Sequence, residues 1–310
     1  MSTHLESSEP MKKLNVIWIL TIVLLCLSAA SCQDPESAAE TLEADTVATE
    51  NESIASQLVA VKQTIEPTAV LSGHADMTRD RAYKVQLAAL QAEAAGADRL
   101  VGWKMGGTRI TDPTASPDPS FAYILHSDSL ASGAQVSAAR YVNGDLLVEA
   151  EIAFIMGDDL EGTDHSPESV MAAVAEVAGA IELIDVRITP GEDGAVPTMN
   201  HMIAANLSHA GLILTDERLR LDAVDVVAES ATVFVDGEAQ ATGGGNQIMG
   251  SSPIDALVWI ANALPTQGRH LQAGDVVITG SLYDNPTIVA GHMARVEFDS
   301  FGSISVSMGE

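Results

Sequence analysis

The chain is 310 residues long, with 43 acidic residues against 15 lysines and arginines, a net charge of −28 and 46% hydrophobic residues. An acidic balance of this size excludes nucleic-acid binding, which needs clustered Lys and Arg against phosphate. It also disfavours an anionic membrane surface while leaving room for a bound cation, and the length suits one large domain behind a targeting segment.

Lys12 and Lys13 precede a nearly unbroken apolar run over residues 14–27 (LNVIWILTIVLLCL), and SAAS then leads to Cys32. A basic start, a short apolar stretch and small residues before a cleavage point predict a secretory signal over residues 1–31, with Met11 as the expected start. The run is too short to cross a hydrocarbon core of about 30 Å comfortably. Ala29-Ala30-Ser31-Cys32 resembles the bacterial lipobox. That resemblance implies acylation of Cys32 and an exported, membrane-anchored lipoprotein, periplasmic or at the cell surface, that meets the membrane through its lipid alone. Cys26 would leave with the signal, so the mature chain has one cysteine and no internal disulfide. Residues 32–53 are acidic and small, too poor in large apolar groups to bury much surface, and are expected to form a disordered tether.

Residues 54–310 are expected to form a single domain, helical over 54–100 and β-rich over 101–310. Leu58, Val61 and Ile65 lie near helical spacing and predict a helix over 54–71. The Ala-, Leu- and Gln-rich stretch 79–96 predicts a second helix, ending at Gly96. Beyond residue 100, short β-branched runs alternate with Gly, Pro, Asp and Asn. Two further helices are predicted over 166–178 and 253–264, opened by Ser166-Pro167 and Ser252-Pro253. Predicted strands include 147–156, 180–188, 231–235, 275–279 and 294–298. The fold class is α+β, a mixed β-rich core with N-terminal helices.

Within the first of those strands, Glu149 and Glu151 fall on one face with Ala153 and Ile155, their Cα atoms roughly 6.5–7 Å apart. Like charges that close are costly unless a cation or a proton intervenes, or unless the pair lies on a solvated strand face, as is common in acidic proteins. Glu182 shares its strand face with Ala180, Ile184, Val186 and Ile188, and a carboxylate on so apolar a face must be paired, metal-bound or protonated. Asp185 and Arg187 fall on the opposite face as an ordinary ion pair. Three carboxylates from two strands suit a hard cation such as Mg²⁺ or Mn²⁺. His126, His201, His209 and His292 form no pair at metal-ligand spacing and read as solvent-exposed or hydrogen-bonded residues.

Trp103-Lys104-Met105-Gly106, Val148-Glu149-Ala150-Glu151 and Ile181-Glu182-Leu183-Ile184-Asp185 follow, in order and spacing, the pattern of the 2-oxopent-4-enoate hydratase and 4-oxalocrotonate decarboxylase family. That family lies in the fumarylacetoacetate hydrolase superfamily. The blocks Gly243-Gly244-Gly245-Asn246, residues 256–262 (ALVWIAN), residues 271–281 (LQAGDVVITGS) and Phe301-Gly302-Ser303-Ile304 agree, so the resemblance covers about residues 75–308. It implies a fumarylacetoacetate-hydrolase-like fold and a single catalytic domain over 54–310. The implied metal ligands are Glu149, Glu151 and Glu182, with Lys104 and Asp128 as catalytic groups and Asn206, Ser208, Gly280 and Ser281 at the substrate.

The resemblance further implies Mg²⁺ or Mn²⁺ as cofactor, a small 2-oxo acid as substrate and a homo-oligomer. Hydration of a 2-oxoalkenoate is the leading reaction. Decarboxylation of a 4-oxalocrotonate-like acid or hydrolysis of an acylpyruvate is the alternative, and a non-catalytic 2-oxo-acid-binding lipoprotein is the other class. The sequence departs from the family pattern where Ala122 replaces a glycine near Asp128, and where Ala205 replaces the acid before Asn206. A diacid substrate would need one more cation, for which Arg109 and Arg140 are the candidates.

Overall fold

The computed structural model describes residues 35–310 apart from positions 97, 113, 115 and 193. The expected signal over 1–31 and the acylation site at Cys32 lie outside the described residues. Among the described residues no helix is long and apolar enough to cross a membrane. Residues Glu50–Glu310 form one compact unit.

Helix α1 (Pro35–Thr64) runs through much of the segment expected to be a tether. The correction has a local cause: Ala, Glu and Leu are good helix formers. Its last turns bury Ile54, Ala55, Leu58 and Val61. The helix stops at Thr64, short of the predicted 71, because Ile65 takes φ 58° and Pro67 follows. Helix α2 (Arg79–Ala94) is capped by the Thr78 side chain, which accepts from the Arg81 N–H at 3.2 Å.

Thirteen strands form two sheets among the described residues. The larger takes β1 (Leu100–Gly106), β2 (Ser120–Leu125), β3 (Ser129–Leu130), β5 (Asp145–Met156), β6 (Val174–Ile184), β7 (His209–Leu214) and β10 (Val276–Ile278) in the order β2-β1-β10-β5-β6-β7-β3. Strand β11 (Thr287–Val289) pairs with the start of β5. The smaller sheet runs β4-β13-β12-β8-β9, from β4 (Ala134–Ser137), β8 (Ser230–Val235), β9 (Glu238–Gly244), β12 (Met293–Phe298) and β13 (Gly302–Gly309). Parallel pairs β1/β10, β3/β7 and β4/β13 sit among antiparallel ones, so both sheets are mixed. The architecture is α+β, with a β-rich core of two mixed sheets, as the sequence predicts.

The helix predicted over 166–178 is cut to α3 (Pro167–Ala172), and the strand predicted from 180 begins at Val174. Locally MAAVAEVAGA reads as helix, but antiparallel pairing with β5 holds Val174 to Ile184 extended. Tertiary pairing overrides propensity here. The sheet also needs small residues at this point: a Cβ at Gly179 would meet the Phe298 ring at 2.7 Å. Helices α4 (Met199–Ala204) and α5 (Pro253–Ala263) complete the fold, the latter capped by Ser252 as expected.

The two faces of the large sheet differ in a way that builds the site. Val148, Ala150, Ile152, Phe154, Ile181 and Leu183 belong to the main core. The other face carries Ala153, Ala178, Ala180, Leu212 and Ile278 in a second, smaller cluster, and by strand alternation it also carries Glu149, Glu151 and Glu182.

Candidate active site

Register places the acids. Glu149 of β5 lies directly across from Glu182 of β6, and Glu151 lies across from Ala180. A directly opposed carboxylate pair is unfavourable in a sheet unless something neutralises it. A carboxylate oxygen from each of Glu149, Glu151 and Glu182 lies within 4.8 Å of the others.

Lys104 enters from β1, flanked by the buried Trp103 and Met105. Its Nζ lies 3.0 Å from Glu182 Oε1, and both residues are almost wholly buried. The same Glu182 oxygen is 2.7 Å from Nδ1 of His209, the first residue of β7. Glu151 Oε2 accepts from the Gly280 N–H at 2.5 Å. Gly280 has φ 105°, and a Cβ there would lie 1.9 Å from Thr108 Oγ1, so only glycine fits. Asn285 Nδ2 donates to Glu149 Oε1, while Ser281 Oγ lies 2.6 Å from Asn285 Oδ1. Each glutamate is therefore held through one oxygen.

The opposite oxygens are the informative ones. Glu151 Oε1 and Glu182 Oε2 are buried with no hydrogen-bond partner among the described residues. A buried unpartnered carboxylate oxygen carries a desolvation cost that a cation would remove. An all-oxygen set of three carboxylates suits a hard divalent ion, and the arrangement fits one.

The charge balance points the same way. Burial and the facing Glu182 push the Glu149 carboxyl up to about 7, against the pull of Lys104. Burial and both facing carboxylates hold Glu151 well above the ordinary range. Burial opposes the charge on Glu182 too, yet the Lys104 ammonium and the His209 ring outweigh it and hold that carboxyl low. Burial likewise opposes the Lys104 charge, but Glu182, Glu149 and Glu151 together keep its ammonium above the usual lysine value. Glu182 is thus the most readily ionised of the three, while Glu149 and Glu151 give up their protons less easily than ordinary carboxyls.

A cavity of about 520 Å³ opens onto this cluster, lined among others by Lys104, Glu149, Gly280, Ser281 and Asn285. Ile184, Met199, Met202 and Leu207 form its apolar wall. Leu207 sits between Asn206 and Ser208, and all three are left-handed, with φ 55°, 48° and 60°. Three consecutive non-glycine residues in that region cost roughly 1–2 kcal/mol each and are typical of backbone held for function.

Of the residues expected at the site, the structure brings together Lys104, Glu149, Glu151, Glu182, Gly280 and Ser281. Asp128, Asn206 and Ser208 stand off the cavity. The Asp128 carboxylate accepts from the Leu125 N–H at 3.0 Å, closing a short turn, and lies 3.9 Å from Nε2 on the far side of His209. Both ends of the Asn206 amide are occupied by the Tyr123 backbone, at 2.9 and 3.0 Å. Ser208 is buried with its hydroxyl unpartnered. Asp185 and Arg187 are paired as expected but buried, 3.9 Å apart, with Arg187 Nη2 donating to the His209 carbonyl at 2.6 Å.

His209 and Asn285 are the residues that sequence reasoning missed. The sequence reads His209 as solvent-exposed or hydrogen-bonded; it is buried and hydrogen-bonded, and its partner is the central carboxylate. Its position beside Glu182 arises from β6–β7 pairing across 27 residues, and no local spacing encodes that. Asn285 lies in the turn-like segment LYDNP, whose one signal is an amide and a proline closing a loop.

Comparison with known proteins agrees with this geometry. The fumarylacetoacetate (FAA) hydrolase C-terminal family matches residues 89–308. The chain is 31% identical over 229 residues to 2-keto-4-pentenoate hydratase 1 of Dechloromonas aromatica, covering 73% of this chain and 84% of that one. It is 28% identical over 239 residues to 2-hydroxyhexa-2,4-dienoate hydratase of Comamonas testosteroni, covering 76% and 89%. In fold it resembles 4-oxalocrotonate decarboxylase from Pseudomonas putida G7, solved with magnesium and adipate, at TM-score 0.77 and 23% identity over 84% of this chain and 97% of that one. The same decarboxylase was also solved with calcium and acetate. The chain belongs to the fumarylacetoacetate hydrolase family, in the company of 2-keto-4-pentenoate hydratases.

Proposed function

We propose that this protein is a metal-dependent hydro-lyase that adds water to a short 2-oxoalkenoate, or to its 2-hydroxydienoate tautomer, giving a 4-hydroxy-2-oxo acid. The observation that carries this reading is the convergence of Glu149, Glu151 and Glu182, two of them with free buried oxygens, beside Lys104 at one cavity. The hydratase names of the relatives support the reaction.

The three glutamates would hold Mg²⁺ or Mn²⁺. When bound, that ion supplies a Lewis acid for the 1-carboxylate and 2-oxo oxygens of the substrate. Lys104 Nζ, kept protonated by the glutamates around it, gives the substrate carboxylate a fixed positive charge inside a strongly acidic protein. It would also neutralise negative charge that grows on the 2-oxygen as an enolate forms on addition of water. Ile184, Met199, Met202 and Leu207 offer an apolar wall to the carbon chain and limit the water beside it. Ser281 and Asn285 orient Glu149 from the rim.

The test is the ultraviolet absorbance of a 2-hydroxydienoate mixed with protein and Mg²⁺, which should decay catalytically. Glu149→Gln and Glu182→Gln should stay folded and retain less than about 1% of the rate, given that metal ligands act as a unit. Full activity in both variants would overturn the ligand assignment. A stoichiometric spectral shift without decay would mark a binding protein, and release of carbon dioxide from a 4-oxalocrotonate-like diacid offered in its place would mark the decarboxylase alternative.

We also propose that the chain is exported and anchored through acylated Cys32, on the strength of the basic, apolar and small-residue succession before it. Cys32→Ala should move the protein from the membrane fraction to the soluble fraction. Self-assembly into a homo-oligomer belongs to the same proposal, and light scattering of the purified protein tests it.

A further inference from the structure

The cavity wall holds one reactive group that the proposed hydration leaves unused, the Met199 thioether. Among the described residues Met77, Met105, Met156 and Met308 are buried, whereas Met171, Met199 and Met293 are exposed at 38%, 38% and 42%. Met171 lies on α3 and Met293 opens β12, and neither lines the cavity over the glutamate cluster. Met199 does. A small oxidant reaches all three exposed sulfurs, but at Met199 alone of the three does oxidation change the wall of the site.

Local structure fixes where that sulfur sits. Met199 is the first residue of α4, and Met202 follows one turn later, so the two share a helix face and line the cavity together. Across from them Ser120, wholly buried, opens β2 opposite Gly106 of β1. The Ser120 hydroxyl has two long acceptors, Gly106 O at 3.4 Å and Met199 Sδ at 3.8 Å. A thioether accepts weakly, so this buried O–H is poorly served. An oxygen added to the same sulfur gives it a full acceptor.

We propose that Met199 is a modification site at which a peroxide turns the apolar cavity wall polar and so weakens the grip on the substrate's carbon chain. This rests on the proposed 2-oxo acid reading. A sulfur lone pair attacks one peroxide oxygen; the S–O bond forms as the O–O bond breaks. With hydrogen peroxide, the proton on the transferred oxygen passes to the departing one, which leaves as water. The thioether loses two electrons and the peroxide gains them. Ser120 then donates to the sulfoxide oxygen, which sits in the wall beside Ile184, Met202 and Leu207. An alkyl chain entering there strips water from that oxygen, which is costly. The 2-oxo acid end, at Lys104 and Glu149, meets no new group.

The experiment treats the protein in Mg²⁺ with hydrogen peroxide and maps the oxidised methionines by peptide mass spectrometry. Calorimetry with pyruvate and with 2-oxohexanoate, neither of which can be hydrated as an alkene, is run before and after treatment. Met199 should gain one oxygen along with Met171 and Met293. Oxidation should weaken 2-oxohexanoate about tenfold or more, as a desolvated polar group predicts, and leave pyruvate within about twofold. Methionine sulfoxide reductase should restore the starting affinity. A Met171→Leu, Met293→Leu double variant should lose affinity on oxidation as the unmodified protein does. Met199→Leu, whatever its starting affinity, should show no further loss. The proposal is overturned by an unoxidised Met199, by an equal weakening of both acids, or by a loss that persists in Met199→Leu. Normal binding of both acids with no effect of peroxide sinks this inference alone. Failure of both acids to bind before treatment sinks the 2-oxo acid reading and this inference together.

Discussion

Replacing Lys104 with Met tests the electrostatic logic of the site most directly. The ammonium is almost wholly buried, 3.0 Å from Glu182 Oε1, with Glu149 and Glu151 also acting on it. Methionine keeps most of the length and apolar bulk, so the loss is chiefly one of charge. Removing one partner of a buried pair costs about 3–5 kcal/mol, because the other is left uncompensated. Here the abandoned partner is a cluster of three carboxylates, so the cost should be full when they are ionised.

The sign with pH follows from the raised carboxyls. The Glu149 carboxyl lies near 7 in the folded protein and lower when unfolded, so the folded state binds more protons between those values. Protonation of Glu149 and Glu151 stabilises the metal-free fold at low pH, and that contribution is lost as pH rises through about 7. Urea unfolding of Lys104→Met without metal should therefore show a loss of about 3–5 kcal/mol at pH 8.5, shrinking to about 1–2 kcal/mol at pH 5.5, where protons stand in for the lysine. Millimolar Mg²⁺ should recover much of the loss at pH 8.5. A loss below about 1 kcal/mol at pH 8.5, or an equal loss at both pH values, would refute the reasoning.

Three further outcomes follow from the same geometry. Gly280→Ala forces a Cβ to within 1.9 Å of Thr108 Oγ1 at φ 105°, and should cost about 2–4 kcal/mol of stability in denaturant titration and weaken Mg²⁺ binding as the amide leaves Glu151. His209→Asn removes the contact on Glu182 Oε1 and should loosen Mg²⁺ about 10- to 100-fold in calorimetry while circular dichroism stays unchanged. Because ligation needs deprotonated carboxylates, Mg²⁺ binding should release protons below about pH 7 and tighten as pH rises through it; calorimetry in buffers of different ionisation enthalpy would read the release, and a pH-independent affinity would contradict it.

How much of the protein was legible depends on the range of each interaction. The Ser-Pro pairs opening α3 and α5 and the alternation along β5 were readable because caps and period-two patterning are local. The end of the helix predicted over 166–178 was misread, since the Ala- and Val-rich run over 173–178 is satisfied by either structure until β5 is beside it. The tether over 32–53 was misread in the opposite sense: little apolar surface argued for disorder, while propensity carried α1 back to Pro35. At the site, the glutamates announced themselves as charges on strand faces that had to be apolar. The off-cavity positions of Asp128 and Asn206 were invisible, because their hydrogen bonds to the Leu125 N–H and the Tyr123 backbone depend on how turns fold back onto strands.

By itself the sequence determined the acidity, the strand faces that carry Glu149, Glu151 and Glu182, the glycines that the turns require, and the family pattern. All of these are properties of residue type and short spacing. Only the tertiary structure decided that Glu149 and Glu182 are directly opposed, that His209 and Lys104 share one oxygen of Glu182, and that Arg109 faces the same cavity. These depend on strand register and on contacts between residues far apart in the chain, where a slip of one position would turn every carboxylate to the other face.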